Sequence, residues 1–431
     1  MVQEEKFQLN NPKVINAWAM FDWANSVYYL IISTAIFPVY FTGIVDDRFH
    51  FLGMDFSDTS LLAFCITSVY LLLAFFSPIL SGIADYGGNK KLFLRLFTFM
   101  GSTACVCLWG FQGMETLWVG IAGYALATIG AAGGLVFYNA FLPEIVSEDR
   151  YDSVSARGYA FGYVGSVILL LFNLFMIEKY SVFGFADKAA ASRIAFVTVG
   201  LWWMGFAQYT IRHLPVSKEP KPIWTTIGRG YGEIRKVFNA LKGQADLKNF
   251  LLSFLFYNAG VQTVIYMATV FADKELHFAT ADLIVLVLII QLIGAMGAYF
   301  FAWLSRIYHN KAALVATLCI WTGICVLAAF VVDKAQFYLI GMFVGLVLGG
   351  VQSLSRASYA KIIPRKTADT TSYFSFYDVV EKCSIVIGTF SFGIIENLTG
   401  SMRTSALTLG IFFLIGILLL TRVKFRTEKT V

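Results

Sequence analysis

Gly82-Ile83-Ala84-Asp85-Tyr86-Gly87-Gly88-Asn89-Lys90-Lys91 is the stretch on which the fold turns. It lies between two apolar blocks, near 58–84 and 92–113. Asp85 falls where the first block ends, the glycines permit a tight turn, and two lysines open the next block. This is the pattern of a short turn at a membrane surface, with Lys90 and Lys91 facing anionic headgroups. The corresponding turn of the second half, Ala302-Trp-Leu-Ser-Arg306-Ile-Tyr-His-Asn-Lys311, echoes it without an Asp.

Outward from that turn the pattern repeats. The 431 residues are 58% hydrophobic and only 14% charged, against about 25% charged in soluble domains. The apolar residues form blocks long enough to cross about 30 Å of hydrocarbon. In the first half they predict helices near 16–45, 58–84, 92–113, 115–141, 157–177 and 190–212. In the second half they predict 248–271, 281–305, 311–333, 336–360, 373–396 and 401–422. Between them runs a basic stretch that includes Lys218, Lys221, Arg229, Arg235, Lys236 and Lys242. The expected organisation is therefore a six-helix bundle over 1–213, a linker over 214–247 and a second six-helix bundle over 248–431. Alternating strands of the β-barrel type are absent. Gly158 and Gly162, and Gly341, Gly345 and Gly349, are spaced by four, which predicts close helix contacts.

The basic residues predict the orientation. Of 33 Lys and Arg, Arg48, Lys179, Lys188, Arg193, Lys274, Lys334 and Arg403 fall on one side, and Lys382 falls within a predicted helix. The other 25 fall at the termini, the linker and every second loop. Both termini and the linker are expected in the cytoplasm, and the net charge of +6 reflects topology, with membrane lipids rather than nucleic acid as the partner. The polar, acidic start lacks the features of a cleaved signal peptide.

With this organisation, Gly82 to Lys91 resembles the loop signature of the major facilitator superfamily. The copy departs at Tyr86, where a basic residue is usual, and at the extra Gly88. Trp18-Ala-Met-Phe-Asp22-Trp23-Ala-Asn25-Ser26 resembles the opening of the vacuolar amino-acid-effluxer-like branch of that superfamily. So do Tyr138-Asn139-Ala-Phe-Leu-Pro143-Glu144, Gly158-Tyr-Ala-Phe-Gly162-Tyr-Val-Gly165, Tyr257-Asn258-Ala-Gly260-Val-Gln262-Thr263 and Gly349-Gly350-Val-Gln352-Ser-Leu-Ser355-Arg356. The resemblance implies an all-α membrane protein with the twelve-helix major facilitator fold, two pseudo-symmetric six-helix bundles with a solute site between them. It also implies efflux of amino acids or similar solutes.

Polar residues inside apolar spans are candidate site residues, because a carboxylate there costs at least a few kcal/mol unless it faces a cavity or partner. Asp22, Asn25, Ser26 and Tyr29 share one face of the first helix. Asn25, Asn139, Asn258 and Gln262 are candidates for solute binding, since amides both donate and accept. Gln291 and Asn173 are weaker ones. Gly82, Asp85, Lys90 and Lys91 read as a gate, with Asp85 expected against the start of the eleventh helix. In Asp378-Val-Val-Glu381-Lys382 the first and last residues are spaced to pair and join the gate. Glu381 and Asp22 have no partner at helical spacing, and burial penalises their charge, which makes them candidate proton carriers.

The expected function is secondary active transport of a small polar solute by alternating access, an amino acid and protons being the candidate cargo and coupling ion. A permease for peptides, sugars or cell-wall fragments, and a non-transporting membrane sensor, are the rival readings. The expected setting is a monomer in a bacterial inner membrane. No nucleotide-binding loop or His-Glu-x-x-His pattern is present, and Gly228-Arg-Gly230-Tyr-Gly232 follows no strand, so no enzyme, cofactor or metal is expected. The six cysteines, Cys65, Cys105, Cys107, Cys319, Cys325 and Cys383, read as small buried hydrophobes.

Overall fold

A computed structural model describes residues 9–216, 232, 235–240 and 243–425, except 47, 52 and 366. Lys218, Lys221, Arg229 and Lys242 of the expected linker lie outside the described residues, as do Gly228 and Gly230.

The first helix, α1 (Pro12–Val27), starts where Asn11 accepts a hydrogen bond from the Lys13 amide and Pro12 takes the first helical position. It then widens into a π-helical segment over Tyr28–Ala35 before continuing as α2 (Phe37–Ile44). Beyond it an antiparallel hairpin pairs β1 (Arg48–Phe51) with β2 (Met54–Ser57), Phe49 opposite Phe56. A capping box between Ser57 and Ser60 opens α3 (Asp58–Gly87). Gly88, at φ 67°, closes it in the left-handed conformation that lacks a Cβ penalty only for glycine. The first half continues with α4 (Lys90–Cys107), α5 (Leu117–Asn139), the short α6 (Leu142–Ile145), α7 (Tyr151–Glu178) and α8 (Lys188–His213). The second half contains α9 (Ala245–Leu276), α10 (Thr280–Phe330), α11 (Lys334–Ile362), α12 (Thr370–Thr399) and α13 (Met402–Thr421).

Among the described residues, ten helices are long and apolar enough to cross a membrane. One of them, α10, breaks at His309, whose φ of 65° turns the chain, so its 51 residues make two crossings. Helix α12 is as long as the others but more polar, because it carries Asp378, Glu381 and Lys382. That gives twelve crossings in two six-helix bundles. Between the bundles, α3 packs on α12, and α7 packs on α10 and α11.

The glycine spacing does what it predicts. A Cβ on Gly349 would stand 1.9 Å from the Gly294 carbonyl oxygen, and one on Gly345 2.7 Å from that of Ile290, so only glycine lets α11 sit on α10. The cysteine expectation needs correction: Cys65, Cys105 and Cys325 are buried, but Cys107, Cys319 and Cys383 are exposed. A thiol is apolar enough to face lipid as well as a core. The hairpin and the π-helical segment carried no signal in the apolar blocks. We call the end of the molecule holding the turn between α3 and α4 the Lys90 face, and the other end the hairpin face.

Candidate functional site

Deep between the halves, α11 brings Arg356 to Asp22 of α1. Arg356 is 1% exposed and Asp22 5%. Both terminal nitrogens of Arg356 lie 3.2 Å from Asp22 Oδ2, and the Tyr138 hydroxyl donates to the same oxygen at 2.8 Å. Arg356 Nε donates to Ser155 Oγ at 2.9 Å, Nη2 to the Ser155 carbonyl at 2.8 Å, and Nη1 to Asn139 Oδ1 at 3.3 Å. The guanidinium lies 4.2 Å from the Tyr159 ring centre and 4.7 Å from that of Trp18, within cation–π range. Gly158 makes room: a Cβ there would stand 2.2 Å from Asp22 Oδ2 and 2.9 Å from Arg356 Nη2.

Asp22 is thus without a partner along its own helix, as its spacing implies, but not across the halves. Arg356 is the residue that sequence reasoning missed. The basic-residue skew places it with the cations of one membrane face, yet it falls inside the predicted span 336–360, about six residues or 9 Å before the end of α11. An arginine and an aspartate, each inside an apolar span, were the available signal.

Nearer the Lys90 face, Asp85 accepts hydrogen bonds from the backbone amides of Thr371, at 3.2 Å, and Ser372, at 2.6 Å. The residue preceding α12, Asp369, makes no side-chain cap of its own, so the carboxylate of one half caps a helix of the other. Lys90 pairs with Glu144 and donates to Thr370 Oγ1 at 2.8 Å, while Thr370 donates to Glu144 at 2.8 Å. Lys91 turns aside to the Leu214 carbonyl at 2.6 Å, and Gly82 is buried within α3. A second latch is built differently. Asp152, in the first turn of α7, accepts from Ser305 at 2.9 Å, Lys361 at 2.7 Å and Asn310. Arg365 reaches Glu148 at 2.8 Å. Among the described residues, three ion pairs join the halves, Arg356–Asp22, Lys361–Asp152 and Arg365–Glu148, and all lie on the Lys90 side of the molecule.

The remaining charges lie towards the middle of α12. Lys382 pairs with Asp378 one turn away, and Ser77 of α3 lies 3.4 Å from Asp378 Oδ2. Among the described residues, Glu381 receives one side-chain hydrogen bond, from Gln262 Nε2 at 3.3 Å, and no ion pair is found for it. Glu381 is partly exposed, but not to lipid. Cys383, Val386, Ile387 and Phe390 are exposed on α12, and at 100° per residue Glu381 points about 160° away from Cys383. It therefore faces an internal space. Tyr29, partly exposed, belongs to the π-helical segment, a widened turn frequently found at functional sites.

The amides divide. Gln262 reaches the Glu381 chamber, and Asn139 serves the Arg356 pair. Asn258 is occupied with Ser384 at 2.6 Å. Asn25 is buried, with an oxygen that finds no hydrogen-bond partner. Asn173 binds Thr198 at 2.9 Å, away from the chamber. Among the described residues no group of three His, Cys, Asp or Glu is placed to hold a metal ion.

Residues 10–430 match a family described as vacuole effluxer Atg22 like. A Bacillus subtilis (strain 168) protein, the uncharacterized MFS-type transporter YxiO, is 30% identical over 426 residues, covering 96% of each chain. Autophagy-related protein 22 of Kluyveromyces lactis is 23% identical, over 85% of this chain and 80% of its own. Among solved structures, the major facilitator transporter FucP in the outward conformation superposes with a TM-score of 0.71 at 13% identity, over 97% of this chain and 99% of its own. The proton:xylose symporter XylE superposes at 0.66 and 12%, over 96% of each. These likenesses establish the twelve-helix major facilitator fold.

Proposed function

The chain belongs to the vacuole effluxer Atg22-like family of major facilitator transporters, and on that premise we propose that it is a secondary active transporter of a small polar solute, alternating between two faces and coupled to protons. It is an integral membrane protein, and a transporter rather than an enzyme. The observation that supports the finer reading is the contrast inside the interface. The ion pairs between the halves gather on the Lys90 side, while Glu381 and Gln262 line an internal space beyond them. A closed face and a polar chamber are what one state of an alternating-access cycle requires.

The proton is best carried by Glu381. Asp22 already has a cation and a phenol on one oxygen, so its charge is compensated in place. Glu381 has neither, and desolvation disfavours a lone carboxylate. In this reading Gln262 and Tyr29 join Glu381 at the solute site, Asn139 and Asn25 support it, and Gly82, Asp85, Lys90, Lys91, Asp378 and Lys382 move with the gate. The basic-residue skew supports both termini and the linker, with helices 1–213 and 248–431 on either side of it, on the cytoplasmic side of a bacterial inner membrane.

Purified protein in liposomes, offered a mixture of labelled amino acids under a pH gradient, tests the reading. Wild type is expected to concentrate at least one of them. Glu381→Gln is expected to lose that accumulation. Undiminished uphill uptake by Glu381→Gln sinks the coupling role. Topology is tested by single cysteines in a background without the six native ones: Val182→Cys, at the hairpin face, is expected to react with an impermeant reagent in intact cells, and Arg422→Cys is not.

A further inference from the structure

The solute that fits the chamber is narrower than a small polar molecule. We propose that the cargo is an organic cation whose ammonium group is held by Glu381, and that the site has no anchor for a cargo carboxylate. The proposal rests on the reading of the Glu381 chamber as the solute site.

Charge accounting carries it. Three carboxylates stand well inside the spans of the interface, Asp22, Asp378 and Glu381. Two are neutralised: Asp22 by Arg356 and Asp378 by Lys382. Among the described residues no ion pair is found for Glu381, and its one hydrogen bond comes from an uncharged amide. The trio Asp378, Glu381 and Lys382 therefore leaves one negative charge facing the chamber. A buried charge of that kind calls for an opposite partner, and a cation arriving as cargo supplies one.

The cations near the chamber tell the same story from the other side. Arg356 is 1% exposed and Lys382 5% exposed, and each is spent on a carboxylate of the protein. A zwitterionic amino acid brings a carboxylate that needs a donor pair or a free cation, and neither residue is open to it. Glu381 is the member of the trio that faces the internal space. The group that touches it is the Gln262 amide. The oxygen of an uncharged amide accepts from an ammonium group. The carboxylate and the amide converge on one ligand chemistry, and that chemistry is a primary or substituted ammonium.

Thermal unfolding of the purified full-length protein with cadaverine, L-lysine, L-leucine, L-glutamate and glucose tests the proposal. Cadaverine and lysine share the ammonium and differ by the carboxylate. Cadaverine is expected to raise the unfolding temperature at least as much as lysine does, with no shift from glutamate or glucose. Glu381→Gln is expected to lose the cadaverine shift, and labelled cadaverine is expected to show counterflow in wild-type liposomes. The panel on wild type decides by itself if that variant aggregates. No shift with cadaverine, a shift with leucine or glutamate in its place, or a cadaverine shift that survives in a folded Glu381→Gln protein, each overturns the proposal. If cadaverine fails while an amino acid is still accumulated under a pH gradient, the transport reading stands and only the cationic class falls.

Discussion

Asp22 and Glu381 are the same chemical group in opposite halves of one interface, and their surroundings set them to different work. Asp22 is sealed: an arginine and the Tyr138 phenol hold one of its oxygens, three aromatic rings lie against that arginine, and even a methyl group on Gly158 would collide with it. Glu381 is open, with an amide at 3.3 Å and no ion pair among the described residues, the neighbouring Lys382 being paired with Asp378. A carboxylate whose charge is compensated in place acts as structure. One that is left uncompensated beside a cavity is available to a proton or a ligand. Position along the helix does not separate the two, since both lie well inside their spans.

The comparison breaks or holds on stability first. Arg356→Ala removes the counter-charge and leaves Asp22 buried alone, which is expected to cost about 3–5 kcal/mol and to lower the unfolding temperature in detergent sharply. Arg356→Lys should rescue little, because a single ammonium cannot reach Asp22, Ser155 and Asn139 together. Glu381→Gln keeps the shape and removes only an unpaired charge, so its unfolding temperature should match or exceed that of wild type. Equal losses in the two proteins would erase the distinction.

A smaller effect isolates the packing beneath the pair. Gly158→Ala places a Cβ 2.2 Å from Asp22 Oδ2, so α7 must shift away from α1. Overpacking of this sort costs about 1–3 kcal/mol. The expected readout is a lower unfolding temperature together with slower transport, because the Arg356 bond to the Ser155 carbonyl belongs to the same stretch of α7. A variant with wild-type stability would mean that α7 is free to move there.

Much of the architecture was legible because it is written in block length. Spans set by hydrocarbon thickness recur as apolar runs, and the predicted helix ends fall within a few residues of those observed, apart from α4, which ends at Cys107 rather than 113, α7, which starts at Tyr151 rather than 157, and the later end of α9 at Leu276. Residues that depend on local geometry were also visible. Asp85 stands at a helix end, and Asp378 and Lys382 stand one turn apart. The Asp22–Arg356 pair was not visible because nothing local joins the two residues, which are 334 positions apart. The division of the amides into occupied and available was hidden for the same reason: Ser384, which takes Asn258, comes from another helix. The hairpin and the π-helical segment lie in stretches where the pattern of apolar residues does not distinguish one backbone from another.

The two latches at the Lys90 face give the finest comparison. In the first half the turn supplies the acid, and Asp85 caps the exposed amides of α12. In the second half the turn has no acid and offers Asn310, while the acid, Asp152, sits in the first turn of α7 and is held by Asn310, Ser305 and Lys361. The sites are related by the fold, but the charge has changed sides. A carboxylate at a helix N-terminus contributes about 0.3–2 kcal/mol, and in Asp85 that contribution exists only while the face is closed. Asp85→Asn should therefore leave the unfolding temperature nearly unchanged and shift the population toward a state open at the Lys90 face. The shift would be seen as a longer distance between spin labels placed on α3 and α12 at that face, with transport slowed and ligand affinity within a few-fold of wild type. Asp152→Asn keeps partners that can bond an amide, but it strands Lys361, so it should open the same face and cost stability as well. If Asp85→Asn leaves the distance distribution and the turnover as in wild type, the cap on α12 holds no gate, and closure rests on the Asp152 cluster alone.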